Sequence, residues 1–129
     1  MKKEEWKEID WIVGYEKLYE VSNFGNIRYL DTQKNKKSCN SRGYRVISLA
    51  NGNGKPKVIT VHRLVAIAFI PNPKNLPYVN HKNGIKSDNR VSNLEWCTPL
   101  ENMKHAWRTG LMESMRLAHK YKKHHIKNR

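Results

Sequence analysis

A strand, a polar loop, a second strand and a capped helix follow one another between residues 78 and 107, and this order restricts the possible folds most. Tyr78–Asn80 has the pattern of a strand end, and Leu94–Cys97 that of a second strand. The run Thr98–Glu101 combines an N-cap residue, a proline suited to the first helical position and the glutamate of a capping box. We therefore expect a strand pair with a helix packed across it, the helix ending at Gly110.

The beginning of the chain has the pattern of short strands joined by turns. Tyr19–Val21 alternates in and out, a turn follows, and Asn26–Leu30 resumes extended pairing, which predicts a hairpin. Residues 31–43 are polar and basic, and Gly43 ends this stretch. Three aromatic residues are expected to form the core of this small first module: Trp6, Trp11 and Tyr15.

A second hairpin and a helix are predicted next. Tyr44–Leu49 and Val58–Thr60 are rich in β-branched residues, and Asn51–Gly54 between them tolerates the positive φ angles of a reversal. From Val61 the apolar residues follow the period of a short amphipathic helix, which Pro71 ends.

These elements predict an α+β protein in three parts. Residues 1–57 form a β-hairpin-rich module, residues 58–110 a strand–strand–helix core, and residues 111–129 a basic tail that is partly helical.

The chain has 25 lysines and arginines against 11 acidic residues, and its net charge of +14 exceeds what solubility requires. Residues 1–30 are nearly balanced, with five basic and six acidic side chains, so the excess lies in the rest of the chain. Apolar runs such as Leu64–Ile70 are too short to span a bilayer. Nucleic acid is therefore the expected polyanion, with a merely well-solvated basic surface as the alternative.

A cytoplasmic location is expected from the N-terminus and the cysteines. Glu4 and Glu5 stand where a secretory signal would have its apolar core. Cys39 and Cys97 belong to no CxxC pair, so neither a zinc ribbon nor a disulfide framework is predicted. Both are expected to be reduced thiols, with Cys97 buried in its strand.

Polar side chains at three points of the predicted core have the chemistry needed to hydrolyse a phosphodiester. His81 titrates near neutral pH and can take a proton from water. The amide oxygens of Asn80 and Asn102 are hard neutral donors that suit Mg²⁺. Asn93 can bond the ring or backbone of His81 and hold it in a reactive orientation.

The order Asn-His, Asn-Leu-Glu-Trp and Glu-Asn-x-x-His-Ala resembles the HNH nucleases of the ββα-metal (His-Me finger) fold, especially those of phage and group I intron homing endonucleases. The likeness extends upstream through Val61–Ala66 and Phe69–Asn72. The first module resembles the nuclease-associated modular domain that often precedes such a nuclease, in three segments: Trp11–Tyr15, Tyr19–Asn23 and Gly25–Arg28.

The resemblance implies a role for each of these polar residues. His81 would be the general base, Asn80 and Asn102 the ligands of one divalent metal ion, and Asn93 the residue that orients the base. Mg²⁺ is the first choice, and Mn²⁺ or another divalent ion is the alternative. Many relatives carry Asp before the catalytic His, so the neutral Asn80 implies weaker metal binding. His105 is a secondary candidate for metal or phosphate.

The implied partner is double-stranded DNA, which a monomer would nick and a homodimer could cut in both strands. A phage or mobile genetic element would encode such a protein, and it would act in a bacterial host. Seven basic residues are candidates for phosphate contacts: Lys82, Lys86, Arg90, Arg42, Arg45, Lys122 and Lys123. His62 is expected in packing or at a phosphate, and Trp96 and Trp107 as core anchors.

Three alternatives remain open at this point. The chain could be a basic DNA-binding protein whose nuclease site is degenerate, which predicts salt-sensitive binding without cleavage. It could be a phage nuclease that serves packaging or host-DNA degradation rather than homing. An RNA-binding structural protein would explain the charge but not the polar residues around His81.

Overall fold

The computed structural model describes residues 2–108. The strands are Trp6–Glu8 (β1), Tyr19–Ser22 (β2), Ile27–Tyr29 (β3), Asn35–Lys36 (β4), Cys39–Ser41 (β5), Tyr44–Leu49 (β6), Lys57–Thr60 (β7), Tyr78–His81 (β8) and Leu94–Cys97 (β9). The helices are Val61–Phe69 (α1) and Pro99–Ala106 (α2), and one 3₁₀ turn, Val91–Asn93, precedes β9. The predicted α+β class is confirmed, while the tail predicted over 111–129 lies outside the described residues.

The strands form three antiparallel sheets. The first has the order β1-β2-β3-β4, the second β5-β6-β7, and the third pairs β8 with β9. Both predicted hairpins are present, and their registers pair Tyr19 with Tyr29 and Leu49 with Lys57. Strands β4 and β5 were not predicted, because they are short, polar edge strands and lack the alternation that a half-buried strand imposes on its sequence.

One hydrophobic core runs through all three sheets. Helix α1 lies at its centre and contacts β2, β6, β7, β8 and β9. The side chains of Ile9, Leu49, Val61 and Leu64 are fully buried in a single cluster that also includes Leu94. Strand β2 of the first sheet and the β8–β9 pair are therefore packed against the same helix.

The aromatic predictions are borne out unevenly. Tyr15 is buried, and Trp11 and Trp96 are half-buried against the core, where the indole of Trp96 donates to the carbonyl of Ile70 at 3.0 Å. The core role predicted for Trp107 is wrong, since 42% of its surface is exposed. Trp107 follows His105 by two residues and points about 200° away from it around the helix, away from the side that contacts β8.

The two cysteines are not bonded to each other and differ in accessibility. Cys39 is exposed on β5, whereas Cys97 is buried in β9. Burial, with smaller effects of Glu101 and Glu95, raises the pKa of the Cys97 thiol to about 11. Within residues 2–108 no helix has the length and apolar character of a membrane span.

Candidate active site

The β8–β9 pair and α2 build the site by the local rules that the sequence indicates. The strands pair with His81 opposite Leu94 and Asn80 opposite Glu95. The capping box at the start of α2 is formed: the Thr98 hydroxyl accepts from the backbone N–H of Glu101 at 3.1 Å, and the Glu101 carboxylate accepts from that of Thr98 at 2.9 Å. The cap begins the helix at Pro99 and so directs its first turns onto β8.

Four of the predicted catalytic and metal-binding residues line one small cleft of about 100 Å³. Asn80 and His81 reach it from β8, and Asn102 and His105 reach it from α2. Tyr44 of β6 also lines it, so the second sheet contributes one wall. The predicted base and the two predicted metal ligands therefore converge, although Asn102 comes 21 positions after His81 in the chain.

The ring of His81 is buried and held by a neighbour that the sequence did not suggest. Its Nε2 lies 2.7 Å from Oδ1 of Asn89, and the two side chains are only 6% and 5% exposed. Because an amide oxygen can only accept a hydrogen bond, Nε2 carries the proton and Nδ1 is the basic nitrogen of the neutral ring. Burial lowers the pKa of His81 below its usual value, and the bond to Asn89 opposes this shift.

Asn93, which was predicted to orient His81, lies in the same loop but makes its side-chain hydrogen bonds to other residues. Its side-chain oxygen accepts from the backbone N–H of Asn83 at 3.0 Å, and its amide group donates to the Asn83 side chain and the Asp88 carbonyl, both at 2.9 Å. The side chain therefore bonds the loop between β8 and β9 and not the His81 ring. Asn93 closes the loop, and the orienting contact to His81 comes from Asn89.

His105 ties the helix of the site to its strand. Its Nε2 lies 2.6 Å from the backbone carbonyl of His81, so Nε2 donates. This bond fixes the distance between the element that carries Asn102 and the residue that carries the base. A metal or phosphate role of His105 stays a prediction.

His62, expected in packing or at a phosphate, packs against the His81 ring. The ring centroids are 4.9 Å apart in an edge-to-face arrangement, and Tyr44 lies 5.3 Å from His62. Nδ1 of His62 is buried and has no hydrogen-bond partner among residues 2–108. Burial, followed by the nearby His81 and Arg63, lowers the pKa of His62 to about 4.

The buried His62 predicts a loss of stability in acid. Its pKa is 6.5 in the unfolded chain and about 4 in the folded protein, so the unfolded chain binds the proton first as the pH falls. The free energy of unfolding therefore has its full value above pH 6.5 and falls progressively towards pH 4. The decrease is about 1 kcal/mol near pH 5 after allowance for partial exposure. Denaturant unfolding of wild type and His62→Gln in metal-free buffer measures this. If the free energy of unfolding depended on pH in the same way in both proteins, the prediction would be contradicted.

The predicted DNA-contact residues differ in how far they are engaged within the protein. Lys86 lines the cleft, with its ammonium 4.8 Å from the centroid of the Tyr44 ring, whereas Lys82, the residue after His81, is exposed and does not line the cleft. Arg90 makes a two-pronged ion pair with Asp88, at 2.8 and 2.7 Å, which neutralises much of its charge.

The basic residues of the second sheet also divide into two kinds. Arg42 is exposed in the turn between β5 and β6, whereas Arg45 is half-buried and hydrogen-bonded to Ser38. Arg45 lines a separate cleft of about 280 Å³. Lys122 and Lys123 lie outside the described residues, and the phosphate contacts of all seven basic residues stay predictions.

Comparison with known proteins agrees with this geometry. Residues 60–104 match a family model for HNH endonucleases, and residues 4–50 match the NUMOD4 motif. A solved structure described as DNA binding and cleavage by the HNH homing endonuclease I-HmuI superimposes with a TM-score of 0.69 and 37% identity, over 92% of this chain and 68% of that one. The chain belongs to the HNH endonuclease family.

Other HNH endonucleases resemble the chain in part of their length. DNA endonuclease I-HmuI of Bacillus phage SP01 is 38% identical over 109 residues, which are 84% of this chain and 60% of that protein. The uncharacterized HNH endonuclease L247 of Acanthamoeba polyphaga mimivirus is 48% identical over 112 residues, or 26% of its own length. The resemblance indicated by the sequence is therefore confirmed, and the chain spans between about a quarter and 60% of these curated relatives.

Proposed function

We propose that the chain is a metal-dependent DNA endonuclease that hydrolyses phosphodiester bonds at the cleft between β8 and α2. The observation that carries this proposal is the convergence of His81, Asn80 and Asn102 on one cleft. Family membership and the net charge of +14 support DNA as the substrate.

Asn80 and Asn102 fit a divalent cation by the chemistry of their donor atoms. Within residues 2–108 no group of three or more His, Cys, Asp and Glu side chains could hold a metal ion. Two amide oxygens suit Mg²⁺ or Mn²⁺, which retain several water ligands and complete their coordination with phosphate oxygen. When bound, the ion supplies positive charge next to the phosphate and the departing 3′ oxygen.

His81 takes the proton of the attacking water on Nδ1. The proton already on Nε2 stays bonded to Asn89, so the ring becomes an imidazolium whose second N–H has an acceptor in place. The side-chain oxygen of Asn89 stabilises this cation, and His105 keeps the backbone of His81 in position. Lys86, which lines the cleft, and Lys82, which is exposed next to His81 in the chain, hold the DNA backbone.

One cleft provides one hydrolytic centre, so a monomer nicks one strand, and cutting both strands requires a second copy or a second encounter. Incubation of supercoiled plasmid with the protein and Mg²⁺ or Mn²⁺ should convert it to nicked circles. Excess chelator should stop nicking while a gel shift still shows bound DNA. Tight DNA binding without nicking in either metal would contradict the proposal and favour a binding protein with a degenerate site. Equal binding of RNA under those conditions would favour the RNA-binding alternative.

A further inference from the structure

The loop that carries Asn89 is held from outside by the first hairpin. The turn between β2 and β3, Ser22–Asn26, belongs to the N-terminal module and approaches the 88–91 segment directly. The backbone N–H of Val91 donates to the carbonyl of Asn23 at 2.9 Å. The two modules are therefore hydrogen-bonded to each other next to the residue that orients His81.

Gly25 makes this approach possible. Its φ angle is +88°, and a Cβ atom added there would lie 2.8 Å from Cβ of Asn89 and 3.1 Å from its carbonyl oxygen. Contacts below 3.0 Å force a displacement, and the atoms in the way belong to the backbone and the rigid first carbon of Asn89. A side chain at position 25 therefore has to push Asn89 away.

The turn is itself firmly placed. The Asn23 side chain accepts from the backbone N–H of Glu5 at 2.8 Å and donates to the carbonyl of Lys3 at 3.1 Å. The hydroxyl of Ser22 accepts from the backbone N–H groups of Phe24 and Asn26. The loop that carries Asn89 is also held from within, because the side-chain amide of Asn93 donates to the carbonyl of Asp88.

We infer that the Ser22–Asn26 turn, through the close contact of Gly25 with Asn89, is a positioning element of the active site that sets the orientation of His81. Asn89 is the positioning residue that touches the base, and the turn fixes Asn89. The inference rests on the proposed function for its effect on rate. It gives the N-terminal module a task in the chemistry that is separate from holding DNA.

Gly25→Ala tests the inference, with Gly52→Ala as the matched control. Gly52 has nearly the same φ angle, +83°, but nothing lies within 4 Å of an added Cβ, so both variants strain the backbone and only one displaces Asn89. The single-turnover nicking rate of Gly25→Ala should fall by about 10²-fold, since catalysis is sensitive to small displacements. Gly52→Ala should change the rate by less than about twofold, and the dissociation constant for DNA should stay within about twofold in both.

Asn89→Ala separates this mechanism from a general loss of structure. Asn89→Ala alone should lower the rate about as much as Gly25→Ala, and adding Gly25→Ala to it should cost less than about threefold more. If the double variant instead lost as much rate as the two single variants combined, the inference would be overturned. Nitrogen-15 NMR of the His81 ring without metal gives a readout that needs no activity: wild type should have the proton on Nε2, and both single variants should change the tautomer balance.

The outcomes separate the inference from the proposed function. An inactive wild type with the expected NMR change refutes the nuclease and keeps the positioning role. An active wild type whose Gly25→Ala variant matches Gly52→Ala in rate and NMR overturns the inference. If Gly25→Ala does not fold, Asn23→Ala removes the side-chain bonds of the turn to Lys3 and Glu5 without a clash and should lower the rate by about tenfold. A wild-type rate and wild-type NMR signature of Asn23→Ala would then overturn it.

Discussion

Replacing His81 by alanine is expected to lower the rate constant for plasmid nicking by about 10³-fold, the usual contribution of a general base. The variant loses the side chain that is protonated on Nε2 toward Asn89 and presents a basic nitrogen at Nδ1 in the cleft. Affinity for DNA should be unchanged, because the buried ring offers little surface to a phosphate. Single-turnover nicking with Mg²⁺ and a gel shift measure the two quantities.

Tyr78→Ala is the matched control for that experiment. Tyr78 lies on the same strand, three residues before His81, and is 47% exposed, so its truncation alters β8 without reaching the cleft. The control should nick at close to the wild-type rate. If His81→Ala keeps more than about a tenth of the wild-type rate while folded, His81 is not the base.

Asn102→Ala should lower the nicking rate by about 10²-fold or more and raise the Mg²⁺ concentration at half-maximal rate. The substitution removes one of the two amide oxygens proposed to hold the cation. The remaining ligand, Asn80, is uncharged and cannot compensate for the loss. The fold should persist, since α2 has no fully buried residue and its capping box is intact. Asn102→Asp should have the opposite effect on the Mg²⁺ requirement, because a carboxylate binds the ion more strongly than an amide.

Met103→Ala controls for changes to the helix surface. Met103 is the next residue of α2 and is 54% exposed, so the variant should nick and titrate with Mg²⁺ as wild type does. An unchanged Mg²⁺ requirement in Asn102→Ala would remove Asn102 from the metal site. The melting temperatures of both variants should stay within a few degrees of wild type.

Local patterns were sufficient to predict the elements that carry the site. The capping box of Thr98 and Glu101 is a short-range device, so its formation depends on neighbours in sequence. The hairpin reversals and the end of α1 before Pro71 are local in the same sense. The convergence of His81 and Asn102 on one cleft then follows from packing a capped helix across a strand pair.

The parts that sequence reasoning missed depend on long-range contacts or on one loop conformation. Asn89 and Asn93 are four residues apart in the same polar loop, and only its folded path decides which of them meets His81. The pairing of Arg90 with Asp88 depends on that path as well. His62 reaches the site because α1 packs against β8, a contact without any signature in the local pattern.

The continuous core around α1 has a consequence for how such chains diversify. Ile9 and Val21 from the N-terminal module and Leu94 from β9 belong to one cluster with residues of α1, so a recombination event that replaces the N-terminal module also replaces part of the core around α1. An N-terminal module acquired from another chain must therefore carry core side chains that fit the nuclease core it joins. Evolution should then favour the inheritance of the two modules together over their independent exchange. Calorimetry should accordingly record a single melting event for residues 2–108.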